Sequence, residues 1–271
     1  MAEAQIVELS NGTQMSWVES GDPAGLPVLC LHGYGDSLRS FETMTPHLPA
    51  GLRVLAVSHR GHGDSPRPER DEDYTVGHFA ADAIAFLEAM GIDRAVIVGH
   101  SMGSFVAQRI AIDAPERVIG LVLIGSFVTL NGHAGIDEMW QEVVRHLEDP
   151  VDPDFIREFQ TGTIAMPVDP AYVEVIVGES LKLPARIWRG AMAGMMGQDH
   201  SRALAAMHRP TLIIWGDRDA LFDADDEAAL RAAIPHARFV TYQGVGHGVQ
   251  WEVPERVAGD VGAFALGLAG R

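Results

Sequence analysis

Val96-Ile97-Val98-Gly99-His100-Ser101-Met102-Gly103-Ser104 joins a short apolar run to a turn and then to a stretch that reads as helix. The turn has the form Gly-x-Ser-x-Gly, which between a strand and a helix places a serine on a sharp nucleophile elbow. A backbone forced through so tight a turn needs room on both sides, and glycines two residues before and after the serine supply it. The hydroxyl then stands at the carboxyl end of a strand, beside the positive end of the next helix. The reading predicts a strand over Val96–Val98, a helix starting near Ser104, and Ser101 as candidate nucleophile.

Working outward, similar apolar runs recur at Val28–Leu31, Val54–Val57, Ile119–Ile124 and Leu212–Trp215, with a last strand around Arg238–Val240. Such runs suit strands buried on both faces of a parallel sheet. Ile6–Leu9 and Met15–Val18 flank Asn11-Gly12 and read as a hairpin. Helical stretches lie between the runs, the clearest over Thr75–Met90, with Phe79, Ile84, Phe86, Leu87 and Met90 as its stripe and Gly91 closing it. The alternation predicts an α/β fold: a mostly parallel, doubly wound, eight-stranded sheet with helices on both faces.

Residues 127–205 break the rhythm. They hold no convincing strand, but show apolar positions at helical spacing around Met139–Leu147, Phe155–Phe159 and Leu183–Met196. A connection this long is a helical insertion rather than a loop. The expected organisation is a core of residues 1–126 and 206–271 with a helical cap of residues 127–205. The Met and Trp positions of the cap either pack it onto the core or line an adaptable apolar pocket. Asp71-Glu72-Asp73 and the run Asp223–Glu227 read as solvated surface.

Composition narrows the function. Twenty Lys plus Arg against 37 Asp plus Glu leave a net charge of −17, which opposes binding to nucleic acid or anionic lipid. A single cysteine, Cys30, excludes an internal disulfide and a Cys-rich zinc site, and inside Val28–Leu31 it reads as a buried hydrophobe. Met1–Gln5 has no positive region leading into an apolar stretch, and no apolar segment approaches the length of a membrane helix. A cytoplasmic protein acting on a small molecule, as monomer or homodimer, is the expectation.

A serine hydroxyl needs a base. Twelve histidines compete, and position favours His247, in the loop Gly244-Val245-Gly246-His247-Gly248 after the last strand. His32 and His100 sit inside other motifs near the site, where they read first as polar side chains bracing loops; His59, His62 and His78 read as surface or supporting residues. An orienting acid should follow a strand and precede the histidine, as does Leu212-Ile213-Ile214-Trp215-Gly216-Asp217-Arg218-Asp219.

With these motifs the chain resembles, over essentially its whole length, the α/β-hydrolase fold superfamily. Leu31-His32-Gly33-Tyr34-Gly35 is similar to its His-Gly oxyanion loop, and Arg60-Gly61-His62-Gly63-Asp64-Ser65 to its Gly-x-Gly-x-Ser turn. The insertion takes the place of its cap. The resemblance implies an oxyanion hole made by the N–H groups of Tyr34 and Met102, and His247 as the catalytic histidine. Through the pattern Gly-x-x-Asp it carries the acid onto Asp219, with Asp217 bracing the loop and Asp223 a rival. The alternative place after the sixth strand reads Ile124-Gly125-Ser126 and offers no carboxylate.

The branches most similar are carboxylesterases, enol-lactonase-like lactonases and cofactor-free haloperoxidase-like perhydrolases. The resemblance therefore implies ester or lactone hydrolysis with no metal or organic cofactor. Hydrolysis of a carbon–carbon bond in a vinylogous diketone comes second and a hydroxynitrile-lyase reaction third, with a slow-turnover small-molecule receptor as the reading from another class. His32, Gly33, His100, Phe127, Trp188 and Met192 are the candidate substrate contacts, and Arg186 or Arg189 the candidates for receiving a carboxylate.

Overall fold

The apolar runs close on one another as one sheet in the computed structural model, which describes residues 3–270. Met1 and Ala2, with which the N-terminal reading begins, lie outside the described residues, as does Arg271. The strands are β1 (Gln5–Glu8), β2 (Gln14–Gly21), β3 (Leu26–Leu31), β4 (Leu52–Ser58), β5 (Ala95–His100), β6 (Val118–Ile124), β7 (Thr211–Gly216) and β8 (Arg238–Tyr242). Their order is β1-β2-β4-β3-β5-β6-β7-β8. The pairings of β1 with β2 and of β2 with β4 are antiparallel, and the rest are parallel.

Several strands outrun the apolar runs that announced them. In β2 the polar residues Glu19, Ser20 and Gly21 continue the ladder opposite Leu55, Val54 and Arg53. The Arg53 guanidinium meets the Glu19 carboxylate through two bonds of 3.0 and 3.1 Å, so an ion pair extends a strand that hydrophobicity alone ends at Val18.

The core follows the period-two alternation of the strands. Leu29, Leu31, Leu55, Val57, Ile97, Leu121, Leu123 and Ile213 face one layer, where α1 (Val76–Ala89) and α2 (Met102–Asp113) pack. Val28, Cys30, Val54, Ala56, Val96, Val98, Val122, Ile124, Leu212 and Ile214 face the other. Burial pushes the Cys30 thiol up to about 12, which leaves it an inert hydrophobe.

Between β6 and β7 the chain forms α3 (Ala134–Glu142), α4 (Pro153–Gly162), α5 (Pro170–Ser180), α6 (Ala185–Met195) and α7 (Ser201–Ala205). A single bridge between Thr129 and Asp199 ties the two ends of this insertion together. The chain then adds α8 (Ala224–Ala233), α9 (Val249–Glu252) and α10 (Pro254–Leu266), the last closing the second core layer with Val257, Ala258, Val261 and Ala265.

The reading of Asp223–Glu227 as solvated surface needs correcting. Asp223 caps α8 and exchanges bonds with Asp226 in a capping box, satisfying amides that the helix start leaves free. Glu227 turns inward and is buried, with neither carboxylate oxygen hydrogen-bonded. Burial pushes its carboxyl up to about 8, against the pull of Arg231 and with the charges of Asp219 and Asp226 adding.

From β3 the chain steps outward to β4, then returns to β5 on the other side of β3. In open α/β sheets such a reversal leaves a crevice beyond the strand carboxyl ends, and ligands bind there. The loop after β3 and the turn after β5 both open into it.

Candidate active site

Ser101 follows the last residue of β5 and stands at the N-cap of α2, which starts at Met102 rather than near Ser104. Its φ of 51° makes it the one non-glycine residue at positive φ among the described residues. That conformation costs about 1–3 kcal/mol and persists only where its surroundings impose it. The flanking glycines show how. A Cβ on Gly99 would lie 2.2 Å from the Gly103 carbonyl oxygen, and one on Gly103 would lie 2.1 Å from that of Leu31. Strand, turn and helix close on each other with no space for side chains. The Ser101 amide donates to the Ile124 carbonyl at 2.9 Å and fixes the elbow to β6.

His247 is brought to the same place by the loop after the edge strand β8, three strands from β5. Its Nδ1–H donates to Asp219 Oδ2 at 2.7 Å, and both side chains are almost wholly buried. Asp219 Oδ1 accepts the amides of Leu221 at 2.8 Å and Phe222 at 3.0 Å. Burial pushes the Asp219 carboxyl up, but the charge and hydrogen bond of His247 and those two amides outweigh it. The net effect holds the carboxyl below its ordinary range. With Nδ1 protonated, His247 Nε2 carries the lone pair; it is buried, without a hydrogen bond, and borders the pocket that Ser101 also lines.

The two rival carboxylates have other occupations. Asp217 Oδ1 accepts the Gly244 amide and braces the His247 loop, as expected of it. Asp223 is exposed and spent on capping α8.

The loop after β3 passes beside the elbow. A Cβ on Gly33 would lie 3.2 Å from Ser101 Cβ and 3.0 Å from His100 Nδ1, so glycine eases the close approach of this loop to the elbow. Met102 opens a helix, and its N–H therefore has no intrahelical acceptor. The Tyr34 and Met102 amides thus belong to the two segments that adjoin Ser101, the loop after β3 and the start of α2.

Gly33, His100, Phe127 and Met192 of the expected substrate contacts line the pocket. His32 does not. It is fully buried, donating from Nδ1 to its neighbour's carbonyl (Gly33, 2.8 Å) and accepting the His59 amide at Nε2, 3.0 Å away. The bond to His59 ties the β3 loop to the loop after β4. His59 and His62 are no surface residues either: all three rings cluster, with centroids 4.6–6.4 Å apart. Burial lowers their affinity for protons, to about 3 for His59 and about 4 for His62. Among the described residues no three His, Cys, Asp or Glu side chains form a metal-holding group.

Trp188 also leaves the wall of the pocket. It is wholly buried behind Tyr34 and Phe159, with ring centroids 5.0 and 5.5 Å away, because the stripe of α6 directs it onto the β3 loop while Met192 and Met195 face the cavity. Trp188→Ala is thus expected to cost about 3–5 kcal/mol of stability in urea denaturation. Activity should fall alike on short and long substrates rather than shift in preference.

Arg186 and Arg189 are turned away as well, bonding the Pro68 carbonyl, and the Leu147 carbonyl with the Asp71 carboxylate. No Lys or Arg lines the pocket among the described residues. Its walls are apolar, from Leu130, Ile136, Met139, Leu221 and Phe222, apart from a polar end at Asp36, His100, Gln160 and Thr163. Burial pushes Asp36 up to about 7, against hydrogen bonds from Gln160 and Ser40. His100 donates from Nε2 to the His247 carbonyl at 3.0 Å; burial and the neighbouring His247 charge hold it down to about 3.

The sequence reading missed Asp36, Gln160, Thr163 and Phe222. Only Leu221-Phe222 left a signal, as an apolar pair inside an Asp-rich loop.

Residues 27–254 match the family model for the alpha/beta hydrolase fold. The chain belongs to that family. Among relatives of this alpha/beta hydrolase, Lipase 1 of Psychrobacter immobilis is 24% identical over 271 residues, 97% of this chain and 84% of the lipase. The 2-hydroxymuconate semialdehyde hydrolase of Pseudomonas sp. (strain CF600) is 28% identical over 268 residues, 94% and 92% of the two chains. A hydrolase from Pseudomonas aeruginosa PA01, known from its crystal structure, superposes with a TM-score of 0.84 at 27% identity, covering 96% of this chain and 97% of its own. Among the described residues of this alpha/beta hydrolase, no helix is long and apolar enough to cross a membrane.

Proposed function

We propose that this chain is a serine hydrolase of uncharged carboxylic esters or lactones, working through an acyl-enzyme. The observation that carries the reading is His247, oriented by Asp219 at 2.7 Å and presenting an unpartnered Nε2 to the pocket that Ser101 lines. Ser101 Oγ attacks the carbonyl carbon as His247 Nε2 takes its proton. The carbonyl oxygen becomes an oxyanion and accepts the N–H groups of Tyr34 and Met102, donors aimed before the reaction begins. The bond to the alcohol breaks, and His247 returns its proton to the leaving oxygen. Water then adds to the acyl carbon, giving a proton to Nε2; the ester bond to Ser101 breaks, Nε2 returns that proton to Ser101 Oγ, and the acid departs.

The walls support a substrate without charge. Apolar side chains surround most of the cavity, and a carboxylate would meet no cation there. That favours an ester or lactone over a carbon–carbon hydrolase whose substrate bears a carboxylate, although one relative is a semialdehyde hydrolase.

The test is turnover of p-nitrophenyl acetate, butyrate and hexanoate, together with fluorophosphonate labelling read by peptide mass spectrometry. Expected are about 1–10³ turnovers per second on the best ester and an adduct on the Ser101 peptide. Turnover below about one per minute on every ester, with Ser101 unlabelled, would overturn the reading in favour of a receptor.

A further inference from the structure

The loop that carries the Tyr34 amide is held from above by three cap helices. Tyr34 Oη donates to the Trp188 carbonyl of α6 at 2.7 Å. Ser180, the last residue of α5, directs its hydroxyl to the Gly35 carbonyl at 2.9 Å, shared with the Ile176 carbonyl of its own helix at 3.1 Å. Gln160 of α4 donates from Nε2 to Asp36 Oδ1 at 3.1 Å and to Ser180 Oγ at 2.8 Å. Three consecutive residues are thus each gripped by a different helix. Gly35, at φ +77°, is pressed so closely to the cap that a Cβ would lie 2.5 Å from the Trp188 ring.

The core holds the first peptide of the loop, since His32 Nδ1 donates to the Gly33 carbonyl at 2.8 Å, and holds the following residues more lightly. Asp36 accepts the Ser40 hydroxyl at 3.4 Å, and its amide reaches the Gly33 carbonyl at 3.3 Å, both long. The cap also reaches the other half of the site, since the Thr163 carbonyl accepts the amides of His247 at 2.9 Å and Gly248 at 3.2 Å.

We infer that the cap completes the oxyanion hole, with Ser180, Gln160 and the Tyr34 hydroxyl as positioning residues that set the Tyr34 amide over Ser101. The inference rests on the serine-hydrolase reading and deepens it.

Ser180→Ala isolates the effect, because Ser180 does not border the pocket and touches no substrate. On p-nitrophenyl butyrate, kcat per labelled Ser101 should fall about 10-fold, part of the 10²–10³ that follows loss of one oxyanion donor. KM should move less than about 2-fold, since ground-state binding is left intact. Butylboronic acid reads the hole directly: Ser101 Oγ adds to boron, its proton passes to His247, and the tetrahedral adduct needs the same donors. Its affinity should fall by the same factor as kcat. Tyr34→Phe, which cuts the grip of α6, should repeat the pattern and serves if Ser180→Ala folds poorly. A kcat within 2-fold of wild type in both variants overturns the inference, as does a fall in kcat with boronic acid affinity unchanged. Wild type that neither hydrolyses the ester nor labels at Ser101 overturns the serine-hydrolase reading, and this inference with it.

Discussion

Ser101→Ala is expected to lower kcat on p-nitrophenyl butyrate by about 10⁶-fold while the protein remains folded. The size follows from the proposed mechanism: without Oγ no acyl-enzyme forms, and His247 has no serine proton to take. A residual rate, about 10³–10⁴ over water, survives because the amides of Tyr34 and Met102 still polarise a bound carbonyl. Adding His247→Ala should lower the rate little further, since the two side chains act as one unit. The fold should tolerate the change. Alanine keeps the Cβ, so at φ 51° it is strained no more than serine, and the glycines that give the elbow its space are untouched. Residual turnover, far-UV circular dichroism and loss of the fluorophosphonate adduct check the three parts of this expectation. A rate above about 1% of wild type would mean that some group other than Ser101 attacks the carbonyl.

Features written in a few neighbouring residues were legible before the fold was known, and features written across it were not. The strands were legible because each apolar run holds two interleaved faces, as Val28 and Cys30 face one core layer and Leu29 and Leu31 the other. Ser101 and His247 were legible as candidates because each follows a strand inside a short pattern of glycines, and Asp219 because it follows a strand in the pattern Gly-x-x-Asp that the family resemblance carries. As a substrate contact His32 fails for the same reason, while its reading as a loop brace holds. Its motif places it next to the site in sequence, but the backbone turns it back to hold the His59 amide. Trp188 was assigned to the pocket because helical spacing says which residues share a stripe, not which end of the stripe meets the cavity. Gln160 and Ser180 carried no signal at all: each is one polar residue among several in its helix, and their partners at Asp36 and Gly35 lie 124 and 145 residues away. Glu227 looked like one more charge in an acidic run. Only the helix that Asp223 caps shows which of those carboxylates turns inward.

Asp219→Asn is expected to lower kcat by about 10⁴-fold at pH 7 with little change in KM. The carboxylate does two jobs, and asparagine keeps one. Its side-chain oxygen can still accept the Leu221 and Phe222 amides, which hold the loop after β7 in place. Its amide then turns two hydrogens toward His247 Nδ1, where Asp219 Oδ2 now accepts one. Nδ1 must become the acceptor, the ring proton moves to Nε2, and the nitrogen facing the pocket can no longer take a proton from Ser101. The same substitution removes the negative charge that stabilises the imidazolium formed during attack. Asp223→Asn keeps a capping side chain at the start of α8 and should leave kcat within about 2-fold, because asparagine and aspartate cap nearly equally well. Asp217→Asn retains an acceptor for the Gly244 amide and should do the same. Steady-state kinetics on the three variants, with His247 ring nitrogens followed by NMR, separates the roles. A near-normal kcat in Asp219→Asn combined with a collapse in Asp223→Asn would sink the assignment, and the carboxylate that orients His247 would have to come from the capped end of α8.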